Sequence, residues 1–412
     1  MISSGKKDLI LLTNAFPYSN AEVFLEKELP FLPDAFNRVF LLPLFPEGTP
    51  RRYDERIILL SSSPPSLFPL FEFLRGIFCS TTFFFEEWKR SPGYPLSLRK
   101  LYLIARTAGI AKRIEHRIEQ AASTYGIKNA LIYSYWMNQG CIGGIFAAKR
   151  HGWKVVSRTH GGDLYTERYP GNYLPWHQWK VQNLDAIMPV SRNGAMYLKN
   201  RYPGIQKKIF HQRLGVADLK PVSHTPGSGN SLHIASCSSV IPLKRVNLIL
   251  ETVLSLKKIL PEHNVRWTHF GNGPLLKEIE AKAKAAHTDG LDIHLTGHID
   301  NSKIPAYYHS EKVDLFINYS TTEGIPVSIM EAFSCGIPAA APDVGGISEL
   351  VSSENGLLFD HEDTPEVVAH QIFTLFIEGG LSERGKQARN MWARDYDLSQ
   401  NFTSFALFLA SI

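Results

Sequence analysis

The chain has 412 residues, 44 Lys+Arg against 39 Asp+Glu, a net charge of +5 and an isoelectric point near 8.8. Hydrophobic residues make up 44% and charged residues 20%; this excludes a disordered chain and suits two or three globular domains. Cys79, Cys141, Cys237 and Cys335 stand far apart with no CxxC pair, which excludes a zinc ribbon or a disulfide scaffold and suits a reducing compartment.

At the start, Lys6 and Lys7 precede only four consecutive apolar residues, 9–12, too few for the core of a signal peptide. No run of 18 apolar residues follows anywhere, so no membrane-spanning helix and a cytoplasmic location are expected. DLILLT (8–13) reads as a buried strand, 21–32 as a helix and RVFLLPL (38–44) as a second strand. Residues 64–113 interrupt this alternation. Phe and Leu are dense there, and Lys89, Arg90, Arg99, Lys100, Arg106, Lys112 and Arg113 stand among or just after them. Two readings are open: a segment resting on an anionic membrane surface at the inner face, or an inserted helical pair packed on the core. The modest positive charge fits an anionic substrate or membrane and gives no reason to expect nucleic acid.

ALIYS (130–134), KVVSR (154–158) and AIMPV (186–190) continue as strands, with a helix over 191–201. The stretch 218–230, DLKPVSHTPGSGN, has no periodicity and reads as a linker. Alternation restarts with LHIASCS (232–238), VRWTHFG (265–271), LDIHLTG (291–297), VDLFINY (313–319) and IPAAAP (337–342). The expected fold class is α/β: two doubly wound, Rossmann-like domains facing a cleft. The expected boundaries are 1–218, with 395–412 packing back on it, a linker at 219–230, and 231–394.

Five motifs carry chemistry. Glu323 precedes a turn at Gly324 and Pro326, and a helix is expected from Val327 to Cys335, closed by Gly336 and Pro338. Glu331 falls on its second turn, which puts the two carboxylates at most ~10–12 Å apart. Between them lie the free amides of a helix start, a ready phosphate site. Two surface glutamates is the plain alternative. Lys244 and Arg245 follow the first strand of the second domain and face the expected ligand crevice, or are solvated cations. Gly271 and Gly273 make a strand-to-helix turn that admits close backbone approach to a ligand, as many α/β turns do. His160, in THGGD, stands at the carboxyl end of a first-domain strand, either reaching a ligand or merely structural. FPYSNAE (16–22) lacks the glycines of a dinucleotide fingerprint, so a nicotinamide enzyme is not expected, and Glu22 reads as part of a helix's first turn that can also meet an acceptor. No DxD pair stands at a plausible site, Asp289 and Asp292 being wrongly spaced.

Together these residues resemble the family 4 (group 1) retaining glycosyltransferases of the GT-B fold. The densest part is EGIPVSIMEAFSCGIPAAAPDVGGISELV (323–351), similar to the family's pair of glutamates eight apart and the glycine-rich loop that follows. FPYSNAEVFLEKELPFL, YSYW, SRTHGGDLYTERY, VSRNGAMYLKNRYP and RLGVAD resemble the bacterial branch that builds surface polysaccharides. The resemblance implies transfer of a hexose from a nucleotide sugar to a glycan or lipid-linked acceptor, without a metal or other cofactor. It implies that Glu323 meets the donor sugar and Glu331 the ribose hydroxyls. It implies that the backbone of Gly324, Ile325, Pro326 and Val327 meets sugar and diphosphate. Lys244 falls where the family binds the diphosphate, His160 where a histidine lies near the donor sugar, and Gly345 and Gly346 in the loop near the nucleotide. Two departures stand out. Ser239 occupies the place of a usual arginine, with Arg245 as the candidate replacement cation, and FPYSNAE replaces the glycine-rich first loop. A catalytically idle GT-B partner subunit and a nucleotide-sugar epimerase remain alternatives.

Overall fold

The structure, a computed structural model, describes residues 5–18, 22, 24–60, 73–76, 87, 98–223, 225 and 229–412. In chain order β1 (Asp8–Thr13), β2 (Val39–Pro43), β3 (Ile57–Leu59), β4 (Ala130–Ser134), β5 (Lys154–Thr159) and β6 (Ala186–Pro189) form one parallel sheet, ordered β3-β2-β1-β4-β5-β6. Every residue of β1, β2 and β4 is buried, because helices cover both faces; this is why these strands read as unbroken apolar runs. The period of two still sorts the faces. Ile10 and Leu12 pack with Ile104, Ala108 and Ile145 on one side, while Leu9 and Leu11 pack with Leu25, Leu29 and Phe405 on the other.

β7 (Ser231–Cys237), β8 (Asn264–Phe270), β9 (Leu291–Leu295), β10 (Leu315–Ile317), β11 (Ala339–Pro342) and β12 (Gly356–Phe359) form a second parallel sheet, ordered β12-β11-β10-β7-β8-β9. Read from its own first strand, this is the order of the first sheet. The two sheets belong to separate units, Met1–Gln212 with Phe402–Ile412, and Arg213–Asn401.

Several expectations shift. β3, three residues, and β12, four residues, were not expected. The helix expected over 21–32 is three pieces, Leu25–Glu28, a 3-10 turn Leu29–Phe31 and Leu32–Ala35, broken at Pro30 and Pro33, which lack the amide a continuous helix needs. The first unit closes at 212 rather than 218. The amide of Val216 donates to the Tyr396 carbonyl (3.0 Å), and the Val216 carbonyl accepts from the amide of Leu398 (3.1 Å). The expected linker is tied down at its start, where Leu219 N donates to Ser334 Oγ (2.9 Å) and Val222 N to the Cys335 carbonyl (2.8 Å). In the final helix, Leu398–Ser411, the first unit begins at Phe402 rather than at 395, and Phe405 meets Tyr133 edge-on, centroids 5.6 Å apart.

Most of 64–97, including Lys89 and Arg90, lies outside the described residues. Beyond it one helix runs from Leu98 to Tyr125. Lys100 (2% exposed) and Arg113 (8%) are buried there, and Lys112 pairs with Glu115, so these cations do not form a basic surface; Arg99 and Arg106 are exposed. No helix among the described residues is long and apolar enough to cross a membrane.

Candidate functional site

In each sheet the chain order reverses once, between β1 and β4 in the first and between β7 and β10 in the second. Loops leaving the carboxyl ends of two such strands diverge and open a crevice, the usual ligand position in this architecture.

In the second unit the loops after β7 and β10 meet. Thr321 N donates to the Leu243 carbonyl (2.9 Å), which ties the turn Pro242–Lys244 to the loop carrying Glu323. That tie brings Lys244 Nζ onto Glu323 Oε1 across 79 residues of sequence. Both side chains are partly exposed, at 21% and 13%, so the pair borders solvent. A third loop holds Glu323 from behind. Gly346 N lies 3.4 Å from the Glu323 carbonyl. Gly345 has φ +57, and a Cβ there would stand 2.1 Å from that same oxygen. Only glycine fits.

The helix that follows runs Val327–Ser334, with Pro326 at its N-cap. The amides of Ile329 and Met330 turn back to the Pro326 carbonyl (3.2 and 3.4 Å), and those of Val327 and Ser328 are the orphan donors that open a helix. Glu331 lies one turn further, near the end of β7. Burial pushes the Cys237 thiol up to about 12, and the negative charge of Glu331 adds to this. Lys244, Glu323, the helix start and Glu331 therefore gather at the crossover of one sheet.

Arg245 is differently placed from the second diphosphate cation expected of it. It sits at φ +46, donates Nε to the Tyr319 carbonyl (2.7 Å) and Nη1 to the His361 carbonyl (3.2 Å), and stacks its guanidinium over the Tyr319 ring. It braces the loop after β10. The glycines at 271 and 273 also have a nearer reason than a ligand. A Cβ at Gly271 would lie 1.8 Å from the Ser238 carbonyl oxygen, and one at Gly273 2.4 Å from that of Val240. The close approach is to the neighbouring loop after β7, fixed by Ser238 N to the Phe270 carbonyl and Val240 N to the Asn272 carbonyl, both 3.0 Å.

In the first unit the crossover is filled from within. The Glu22 carboxylate accepts from the amides of Asn14 (2.8 Å), Ala15 (2.9 Å) and Phe16 (2.8 Å), and from Trp136 Nε1 (2.6 Å). Glu22 is buried (8%) at φ +57. It is thus not simply a residue of a helix's first turn. The Trp136 ring packs on His160, centroids 4.3 Å apart. His160 caps the short helix Gly161–Leu164, and Asp163 fixes the turn by accepting from His160 N (2.6 Å) and Met137 N (2.8 Å). Burial first, then the nearby Arg158, push the imidazole down to about 3, so it is neutral at physiological pH. Among the described residues neither ring nitrogen has a hydrogen-bond partner. Arg158 is itself fully buried, paired with Glu28 and set 4.0 Å above the Phe405 ring. This ion pair was not singled out in the sequence.

Residues 231–377 match the family model for glycosyl transferases group 1. Over 214 residues the chain is 26% identical to the lipopolysaccharide core biosynthesis mannosyltransferase LpsB of Rhizobium meliloti, covering 50% of this chain and 59% of that protein. Over 128 residues it is 31% identical to the O-antigen biosynthesis glycosyltransferase WbnH of Escherichia coli, covering 31% of this chain and 33% of that protein. The chain thus spans less than two thirds of the length of these curated relatives. Among solved structures, Anabaena HepE, crystallised with UDP and glucose, superposes with a TM-score of 0.66 at 15% identity, over 99% of this chain and 100% of that one. That likeness shows the fold, two Rossmann-like α/β domains of the GT-B type.

Proposed function

From the match of residues 231–377 to the family model for glycosyl transferases group 1, we propose that the chain is a retaining glycosyltransferase. In this reading it moves a hexose from a nucleoside diphosphate sugar to a lipid-linked glycan acceptor during surface-polysaccharide assembly. The observation that carries it is the meeting of Lys244 and Glu323 at the mouth of the helix Val327–Ser334. A diphosphate sugar needs positive charge for its departing phosphates and an acceptor for its hydroxyls, and these groups supply both side by side. The names of LpsB and WbnH support the polysaccharide setting, and the UDP and glucose bound to HepE support the donor class.

In the proposed reaction the bond from the anomeric carbon to the diphosphate breaks while the acceptor oxygen bonds that carbon on the same face. The acceptor proton passes to the departing phosphate oxygen. Lys244 Nζ and the amides of Val327 and Ser328 take up the charge of the leaving group, Glu323 orients the sugar and Glu331 accepts from the ribose hydroxyls. This positive charge is proposed to stand in for a divalent metal, so transfer continues in EDTA. Peripheral contact with an anionic membrane is part of the reading, and salt-sensitive binding to anionic vesicles checks it.

The direct test is a melting screen against UDP-, GDP- and ADP-sugars, then transfer with the donor that raises the midpoint most. A rise with one nucleotide sugar and its consumption only with acceptor support the proposal. Conversion of donor alone to an isomer indicates an epimerase. Binding without any turnover indicates an idle partner subunit.

A further inference from the structure

The first unit contains a cavity of about 380 Å³ that the proposed transfer chemistry does not use. One wall is a stripe of the helix Leu98–Tyr125. Arg99, Leu103, Arg106 and Ile110 all line the cavity, because spacings of four, three and four residues keep one helical face. Neither arginine has an acidic or hydrogen-bonding partner among the described residues, and both are exposed.

The opposite wall carries a lysine whose pKa burial lowers, against the pull of Asp163 and Glu87 nearby. Lys180 is buried (4%) and directs one of its three donors to the Met137 carbonyl at 2.5 Å. Asn138 and Gln139, at the start of the helix Gln139–His151, line the same space, and that end of a helix favours an anion. The acid in the lining, Asp163, is already engaged by the amides of Met137 and His160. Burial raises it to about 6. Glu87, beside the cavity, is held by Tyr173 Oη (3.0 Å) and Trp176 N (2.8 Å). Leu103, Ile110 and Tyr173 give the remaining surface an apolar character. Two guanidiniums, a buried lysine and a helix start beside an apolar wall suit a phosphate joined to a hydrocarbon better than a bare anion.

We propose that this cavity seats the phosphate group of an amphiphilic acceptor, a lipid diphosphate, with Arg99, Arg106 and Lys180 around the anion and the apolar wall against the first part of the chain. The proposal rests on the reading of the protein as a transferase with a lipid-linked acceptor, and gives that acceptor a place.

The test titrates the full chain by calorimetry with farnesyl diphosphate, inorganic pyrophosphate and farnesol, using wild type and the Arg99→Ala/Arg106→Ala double variant. Both arginines are exposed and have no partner among the described residues, so the variant retains its fold, which an unchanged affinity for a nucleoside diphosphate verifies. The expected result is farnesyl diphosphate binding at least about tenfold tighter than either fragment, and at least about tenfold weaker in the variant. Equal affinity of the two proteins for farnesyl diphosphate overturns the site. Inorganic pyrophosphate binding as well as farnesyl diphosphate overturns the amphiphile and leaves a free-anion site. An equal loss on phosphatidylglycerol vesicles carrying no diphosphate overturns the cavity in favour of a membrane surface. Should the wild type bind no nucleotide sugar, the transferase reading fails, while the farnesyl diphosphate result still decides the cavity.

Discussion

The two crossovers of this molecule share a strand order and differ in what fills them. In the second unit the loops after β7 and β10 bring Lys244 to Glu323 and leave the amides of Val327 and Ser328 at an open helix start. In the first unit the amides after β1 are already taken, because Glu22 folds its carboxylate onto Asn14, Ala15 and Phe16. The same scaffold offers an anion site twice, and the chain closes one of them with its own side chain. The difference explains why the first loop needs no glycines: its amides receive a fixed carboxylate rather than a mobile phosphate.

The sharpest way to break this comparison is to remove the open site's charges. Lys244→Ala and Glu323→Gln should each lower kcat by about 10²–10³-fold in a steady-state transfer assay. Near-full turnover of either variant removes the role given to it. Gly345→Ala comes next. Its Cβ meets the Glu323 carbonyl from a left-handed backbone, so melting should reveal a loss of about 1–3 kcal/mol. Gly126→Ala shares the left-handed backbone but has nothing within 4 Å, and should cost about 1 kcal/mol or less. A smaller effect is expected at the closed site. Glu22→Gln turns one oxygen into a donor facing backbone donors and should cost about 1–2 kcal/mol in denaturant titrations, with donor affinity unchanged. A change in donor affinity there would mean that the closed site also serves the nucleotide.

The two units also share a response to acid. Burial pushes His160 and His177 down to about 3 and His269 to about 4. The unfolded chain therefore binds protons between roughly pH 6.5 and these values that the folded chain does not, and stability falls as pH drops through that window. Asp163, raised to about 6, acts oppositely by favouring the folded state as it protonates. His233 is lowered with these rings, and Glu28 and Glu87 are raised with Asp163; four histidines outweigh three acids, so the melting midpoint should fall from pH 6.5 to pH 4.5. A midpoint that rises over this range contradicts the burial assigned to these rings.

Much of the fold was legible because fully buried parallel strands announce themselves as apolar runs. β1 and β4 span the same residues in sequence and structure, and the helix opening at Val327 follows from Pro326 and Gly336. β3 and β12 escaped although they are no shorter than β10 and β11; their apolar runs, IIL and GLLF, stand apart from the motifs that marked the others. Motif spacing placed Glu323 before the helix and Glu331 within it. The contact of Lys244 with Glu323 could not be read, since it depends on a strand order that no local pattern encodes. For the same reason the glycines at 271 and 273 suggested a ligand, although the atoms nearest them belong to Ser238 and Val240. Arg245 looked like a phosphate ligand from its type alone; its positive φ and its two carbonyl partners turn it inward. Glu22 carried one unused signal, an acid shortly after the loop of a first strand, where exposed amides attract a carboxylate.

The central claim is that an activated sugar nucleotide lodges its phosphates at the second crossover. The measurement that addresses it most directly is a crystal structure with the nucleoside diphosphate that raises the melting point most. The phosphate oxygens should lie about 3 Å from Lys244 Nζ and from the amides of Val327 and Ser328. Phosphates found instead on the amides of Asn14, Ala15 and Phe16, with Glu22 displaced, would contradict it.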